Sequence, residues 1–156
     1  MRFLIAVILI AVTIVQADAR IGETLEQCIE RYGGRVDKSS PGKGVAFVKG
    51  GFVIAVQFYE GKADTLAFCK VERDALGKAK EMSNNEISQL LQANSGDRKW
   101  KEINQIPLER YWLTEDAQLV ASYRSFEHTL TIMTKAATDR ANAAKKAEED
   151  KKLKGL

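Results

Sequence analysis

The chain has 156 residues, 45% hydrophobic and 29% charged, with a formal net charge of +3. That length holds one domain with a modest core, and the charge is too small to name an acidic partner. One histidine and two cysteines lack the paired spacings of a zinc site.

The chain opens MRFLIAVILIAVTIVQADA. Arg2 supplies a positive start, Phe3 to Val15 is an apolar run of 13 residues, and Ala17-Asp18-Ala19 gives a small-residue cleavage signal. This is the order of a secretory signal peptide, cut after Ala19. A membrane anchor would need about 20 apolar residues. No cysteine follows the run, so the lipid-attachment box of bacterial lipoproteins is missing. The expectation is a secreted or periplasmic protein with no stable membrane insertion after cleavage.

Next comes GETLEQCIERYGG. Thr24 and Gln27 have capping-box spacing. Leu25, Cys28, Ile29 and Tyr32 fall on one helical face, and Gly33-Gly34 ends the helix. Three short antiparallel strands follow. Gly50-Gly51 makes the first turn, which puts Phe47 on one face with Phe52, Ile54, Val56 and Phe58. A longer turn at 60–63 then returns Leu66 and Phe68 to that face.

The pattern comes back. Ser83 and Glu86 form a second capping box ahead of Ile87, Leu90 and Leu91, and Gly96 closes that helix. Trp112 stands for Phe47, Glu115-Asp116 for the glycine pair, and Leu119, Ala121 and Tyr123 for Ile54, Val56 and Phe58, all 65 residues on. Leu130 and Ile132 stand for Leu66 and Phe68 at 64, so a one-residue deletion falls at the second turn. One such unit cannot bury both sides of a helix–sheet interface. Two can pair their sheets under both helices. The predicted fold is α+β: a two-layer sandwich of about six antiparallel strands from two α-β-β-β repeats, about 22–70 and 83–135, with two short helices on one face. The segment around Trp100 and Pro107 reads as irregular. Residues 136–156 are rich in Ala, Lys and Glu and read as a solvated helical tail, with a basic arm as the sharper reading. Its six basic and four acidic residues largely cancel.

Gly22-Glu23-Thr24 opening a helix, a glycine stop, and Phe58-Tyr59-Glu60-Gly61-Lys62 in a hairpin together resemble the BLIP-like class of small envelope proteins. That class includes the β-lactamase inhibitory protein and the small lipoprotein of the outer-membrane assembly machine. The chain is also similar to small secreted bacterial proteins that begin G-E-T…C…R-Y-G. The resemblance spans about 24 to 134 and implies tandem helix-plus-sheet units. No inhibitory loop or anchor cysteine maps onto this chain, so neither specific function carries over.

Few residues invite chemistry. His128, the lone histidine, lies in a turn without a nucleophile signature. Glu23, Glu26 and Glu30 read as the exposed side of the first helix. The glycines have no phosphate-loop spacing. No catalytic, cofactor-binding or metal-binding residue is assigned. Cys28 and Cys69 remain open. An oxidising compartment favours a disulfide, but strand parity sends Cys69 away from the helix face. Tyr59, Trp100 and Tyr111 fall off the predicted core face. They are candidates either for a partner surface or for covering the domain's edge. The function expected is a non-enzymatic binding or assembly module acting on an envelope or secreted protein through a sheet face or edge, without nucleic acid or cofactor. The alternatives are a small secreted hydrolase with an unrecognised carboxylate site and a structural envelope component.

Overall fold

The structure, a computed structural model, describes residues 20–34 and 44–154. The expected signal peptide, 1–19, lies outside the described residues. The elements run α1 (Leu25–Tyr32), β1 (Val45–Lys49), β2 (Phe52–Tyr59), β3 (Lys62–Lys70), α2 (Asn84–Ser95), β4 (Trp100–Ile106), β5 (Glu109–Thr114), β6 (Leu119–Arg124), β7 (Thr129–Thr134) and α3 (Lys135–Lys154). The seven strands form one antiparallel sheet in the order β1-β2-β3-β7-β6-β5-β4.

Both short helices start as their sequences dictate. Gln27 N donates to Thr24 Oγ1 (3.3 Å) and Thr24 N to Gln27 Oε1 (2.8 Å). Ser83 and Glu86 make the same reciprocal pair, at 2.7 and 3.3 Å. Each helix buries residues four apart: Cys28 and Tyr32 in α1, Ile87 and Leu91 in α2. By position after the cap, Cys28 corresponds to Ile87.

The helices cover one face of the sheet. Beneath them lie Phe47, Ile54, Val56, Leu66, Phe68, Trp112, Ala121, Tyr123, Leu130 and Ile132, all buried in one cluster. Tyr123 also ties the connecting segment to α2: its hydroxyl accepts from Met82 N at 3.1 Å. Glu23 does not belong to an exposed acidic face. It is buried against Arg31, whose Nε donates to both carboxylate oxygens at 2.9 and 3.0 Å.

Strands β1-β2-β3 and β5-β6-β7 meet back to back at β3–β7. There Leu66 pairs with Ile132, Ala67 with Thr131 and Phe68 with Leu130. Since Leu66 and Leu130 are 64 residues apart, like Phe68 and Ile132, this is the pairing that a two-fold axis between Ala67 and Thr131 generates. The hairpins differ inside that frame. Phe47 pairs with Ile54, whereas Trp112 pairs with Ala121. Ala121 therefore takes the place of Ile54, and Tyr123 that of Val56, a shift of two from the uniform 65-residue alignment. The β1–β2 turn has two residues, Gly50 and Gly51, both at positive φ, whereas the β5–β6 turn spans Glu115 to Gln118. A shift of two keeps every side chain on its face, so the core residues survive the misalignment.

The seventh strand was not expected. β4 adds to the free side of β5, with Lys101 opposite Leu113 and Asn104 opposite Tyr111, and a bulge at Ile103. The bulge breaks the two-residue period that marks a strand. The Arg110 side chain holds this pair together: Nε donates to Glu102 Oε1 at 2.9 Å, and the guanidinium lies 4.7 Å above the Trp112 ring. β1 is shorter, at five residues. The chain enters it through Gly44 at φ +79°, where a Cβ would stand 2.5 Å from the Val56 carbonyl oxygen. The C-terminal segment is the helix α3. Ala137 is buried at its base, and residues 141–153 are exposed along its length. Among the described residues, no helix is long and apolar enough to cross a membrane.

Candidate functional site

Strand alternation leaves the second face of the sheet to side chains that α1 and α2 do not touch. Following the register across it, one row runs Ala46, Ala55, Ala67, Thr131, Ser122, Tyr111, Asn104. Five adjacent strands thus present a methyl or a hydroxyl where the next rows carry Val53 and Gln57 on β2, Met133 on β7 and Val120 on β6. The result is a low strip of small side chains across the middle of the sheet. It is bounded on one side by Tyr111, whose hydroxyl donates to Glu109. That bond holds the Tyr111 proton and raises its pKa above the usual tyrosine value.

At one end the face continues into an apolar rim. Ile106, Leu108 and Phe126 are exposed, Leu108 by 59% and Phe126 by 52%. Their two hairpin turns are joined by a hydrogen bond from Ser125 N to Leu108 O (2.9 Å). The charges beside them are matched: Arg124 lies 3.6 Å from Glu109 and 3.4 Å from Glu127. At the other end, Arg140 of α3 lies 3.7 Å over the Tyr59 ring and pairs with Asp64, the residue inserted at a bulge in β3. The first turns of α3 are thereby fixed to the β2–β3 hairpin.

The three aromatic candidates separate. Tyr59 and Tyr111 both project from the second face, at opposite ends of the sheet. Trp100 does not: it packs against the core under α2, and its Nε1 donates to Leu91 O at 2.7 Å. It sits on the core side because β4 is a strand in register with β5, which the sequence pattern did not show. The cysteines are both free. Cys28, on the inward face of α1, is fully buried, while Cys69 alternates with buried Phe68 and lies on the opposite face, half-buried. The sheet stands between them, so the bridge left open above is not formed. Burial, reinforced by the nearby Glu23 carboxylate, pushes the Cys28 thiol up to about 11, which keeps it a packing group.

His128 holds a left-handed conformation, φ +52°, in the β6–β7 turn, with its Nδ1 buried and without a hydrogen-bond partner. Among the described residues, no group of three or more His, Cys, Asp or Glu side chains is placed to hold a metal ion. Comparison with protein-family models, curated proteins and solved structures finds no match for this chain.

Proposed function

We propose that this protein is a non-enzymatic binding or assembly module that engages a partner protein through the second face of its sheet. The carrying observation is that strip of small side chains, flanked by aliphatic residues and leading to the Leu108–Phe126 rim. An extended sheet face with apolar character, left uncovered by α1 and α2 and met by α3 only at the Tyr59 end, is a surface that a partner can cover with little reorganisation. The opening segment supports an extracytoplasmic setting, with cleavage after Ala19. The matching order of elements in the two halves supports descent from one duplicated unit. The resemblance to the BLIP-like class is consistent with a recognition role but assigns no partner.

Site-specific photo-crosslinking tests the reading. A crosslinker at Ala67 or Thr131 on the second face should give one reproducible protein adduct in cells. The same group at Ser88 or Gln92, on the exposed side of α2, should not. Equal labelling from both faces, or none from either, would refute the proposal.

A further inference from the structure

The Leu108–Phe126 rim is one part of a larger feature. Because the sheet is antiparallel throughout, the β1–β2 turn, the β3–α2 connection, the β4–β5 turn and the β6–β7 turn all lie at one end of it. Nine large hydrophobic side chains are exposed among the described residues. Six of them, Val48, Val71, Leu76, Ile106, Leu108 and Phe126, sit in those connections or within two residues of them. Beside the β2–β3 and β5–β6 turns of the opposite end only Tyr59 is so exposed, and the Arg140 guanidinium lies over its ring.

The most exposed of the six stands on a well-held support. Asp74 N donates to Lys78 O at 2.8 Å, Gly77 N to Asp74 O at 3.0 Å and Lys80 N to Glu72 O at 2.8 Å, so residues 72–80 form a small hairpin. Asp74 Oδ1 accepts from Leu76 N (2.8 Å) and Lys78 N (2.9 Å), and Gly77 takes the positive φ of the turn, +77°. Buried Ala79 and Met82 anchor the base. The Leu76 side chain serves none of this and is 83% exposed at the tip.

From β1 to β4 the sheet has six strand spacings, so at about 4.8 Å each the tips are spread over about 29 Å. They protrude from separate connections with polar residues between them. A pocket in a protein suits one such tip, whereas a plane of lipid meets them all. The charges behind the tips are balanced. Lys70 pairs with Glu86, Lys80 with Glu72, and Arg124 with Glu109 and Glu127, while Asp74 and Glu81 offset Arg73 and Lys78 in number. That balance suits a surface entered by apolar contact, without reliance on anionic headgroups.

We propose that this end of the domain docks shallowly and reversibly on a lipid bilayer, with Leu76, Leu108 and Phe126 entering the boundary between headgroups and acyl chains. The role is separate from the partner on the second face, which such a contact leaves open.

Co-flotation of the processed chain, beginning at Arg20, with phosphatidylcholine vesicles tests it, alongside vesicles that also contain phosphatidylglycerol. The chain should float with both, and added salt should change this little. Leu76→Ser, Leu108→Ser and Phe126→Ser alter exposed side chains and should leave the circular dichroism spectrum intact. Each should weaken binding by at least about fivefold, and the three together should abolish it. Leu153→Ser, exposed on α3, should have no effect. Absence of flotation with either vesicle would overturn the proposal. So would flotation that needs phosphatidylglycerol and is lost in salt, or equal harm from Leu153→Ser. Lipid binding that fails while a photo-crosslinker at Leu108 captures a protein would assign the tips to a protein partner instead. Crosslinkers at Ala67 and Thr131 report on the second face separately, so either reading can fail alone.

Discussion

The two halves of the sheet solve the same problem with different edges. In both, a capped helix of two or three turns lies over a three-strand meander, and the inward residues form one core. The first half ends at β1, whose five residues are entered through Gly44 at a positive φ that only glycine adopts freely. The second half adds β4 outside β5 and locks it to α2 through Trp100. The turns differ as well: a glycine pair in the first half, and a four-residue turn organised by Asp116 in the second. The comparison teaches that the shared part is the helix–meander contact and the β3–β7 seam. Turn length and edge dressing vary around that part without disturbing which side chains face inward.

If the halves share one core, damage to either must be felt by both. Phe47→Ala and Trp112→Ala remove corresponding buried rings and should each lower unfolding stability by about 3–5 kcal/mol. Phe47 lies in the first half, and both tryptophans lie in the second. In Phe47→Ala, denaturant curves followed by tryptophan fluorescence and by far-ultraviolet circular dichroism should therefore shift together. A fluorescence midpoint left at the wild-type value would mean that the halves unfold separately, and the comparison would break. A smaller effect isolates what only the second half has. Trp100→Ala should cost about 3 kcal/mol. Trp100→Phe keeps most of the packing but loses the bond to Leu91 O, and should cost about 1 kcal/mol. Hydrogen exchange should show β4 opening faster in both variants while β1 is unaffected. Equal loosening of β1 would show that β4 acts through the whole sheet and not as a local addition.

The sequence made the shared part legible and the differences obscure, for physical reasons. Capping boxes are local, so Thr24/Gln27 and Ser83/Glu86 could be read directly. Inward residues obey a period of two, so Phe47, Ile54, Leu66, Trp112 and Leu130 were identified even though the second meander was aligned two residues out. β4 escaped because its bulge at Ile103 interrupts the alternation and because Glu102 sits on the core side, where its charge is met by Arg110 across the strand pair. That partner is eight residues away in sequence and cannot be seen without the register. Trp100 was misplaced for the same reason. On the candidate face, Tyr59 and Tyr111 were readable as outward residues. The strip from Ala46 to Ser122 was not, because it exists only once five strands lie side by side. The apolar end is built from four separate connections, and no local pattern announces it.

The finest difference between the halves, the two turns, can be probed by acid. Asp116 accepts from the Thr114 hydroxyl at 2.7 Å, from Arg98 Nε at 2.6 Å and from Gln118 N at 3.1 Å. These partners, the Thr114 bond first, hold its carboxyl down at about 2. An unfolded aspartate titrates near about 3.9. A depressed folded value means that the charged carboxylate contributes stability above the unfolded value and loses it as pH falls toward the folded one. The Gly50-Gly51 turn has no titrating group and contributes nothing of this kind. Thermal melts of the wild type and Asp116→Asn should therefore differ by a constant amount from neutral pH down to about 5. Their midpoints should converge as the pH drops from about 4 to about 2. The carboxylate is open to solvent, so added salt should shrink the difference at neutral pH by screening its attraction to Arg98. A gap that persists unchanged at the acid end would show that the charge of the carboxylate does not hold the turn. The two halves would then differ in turn length alone.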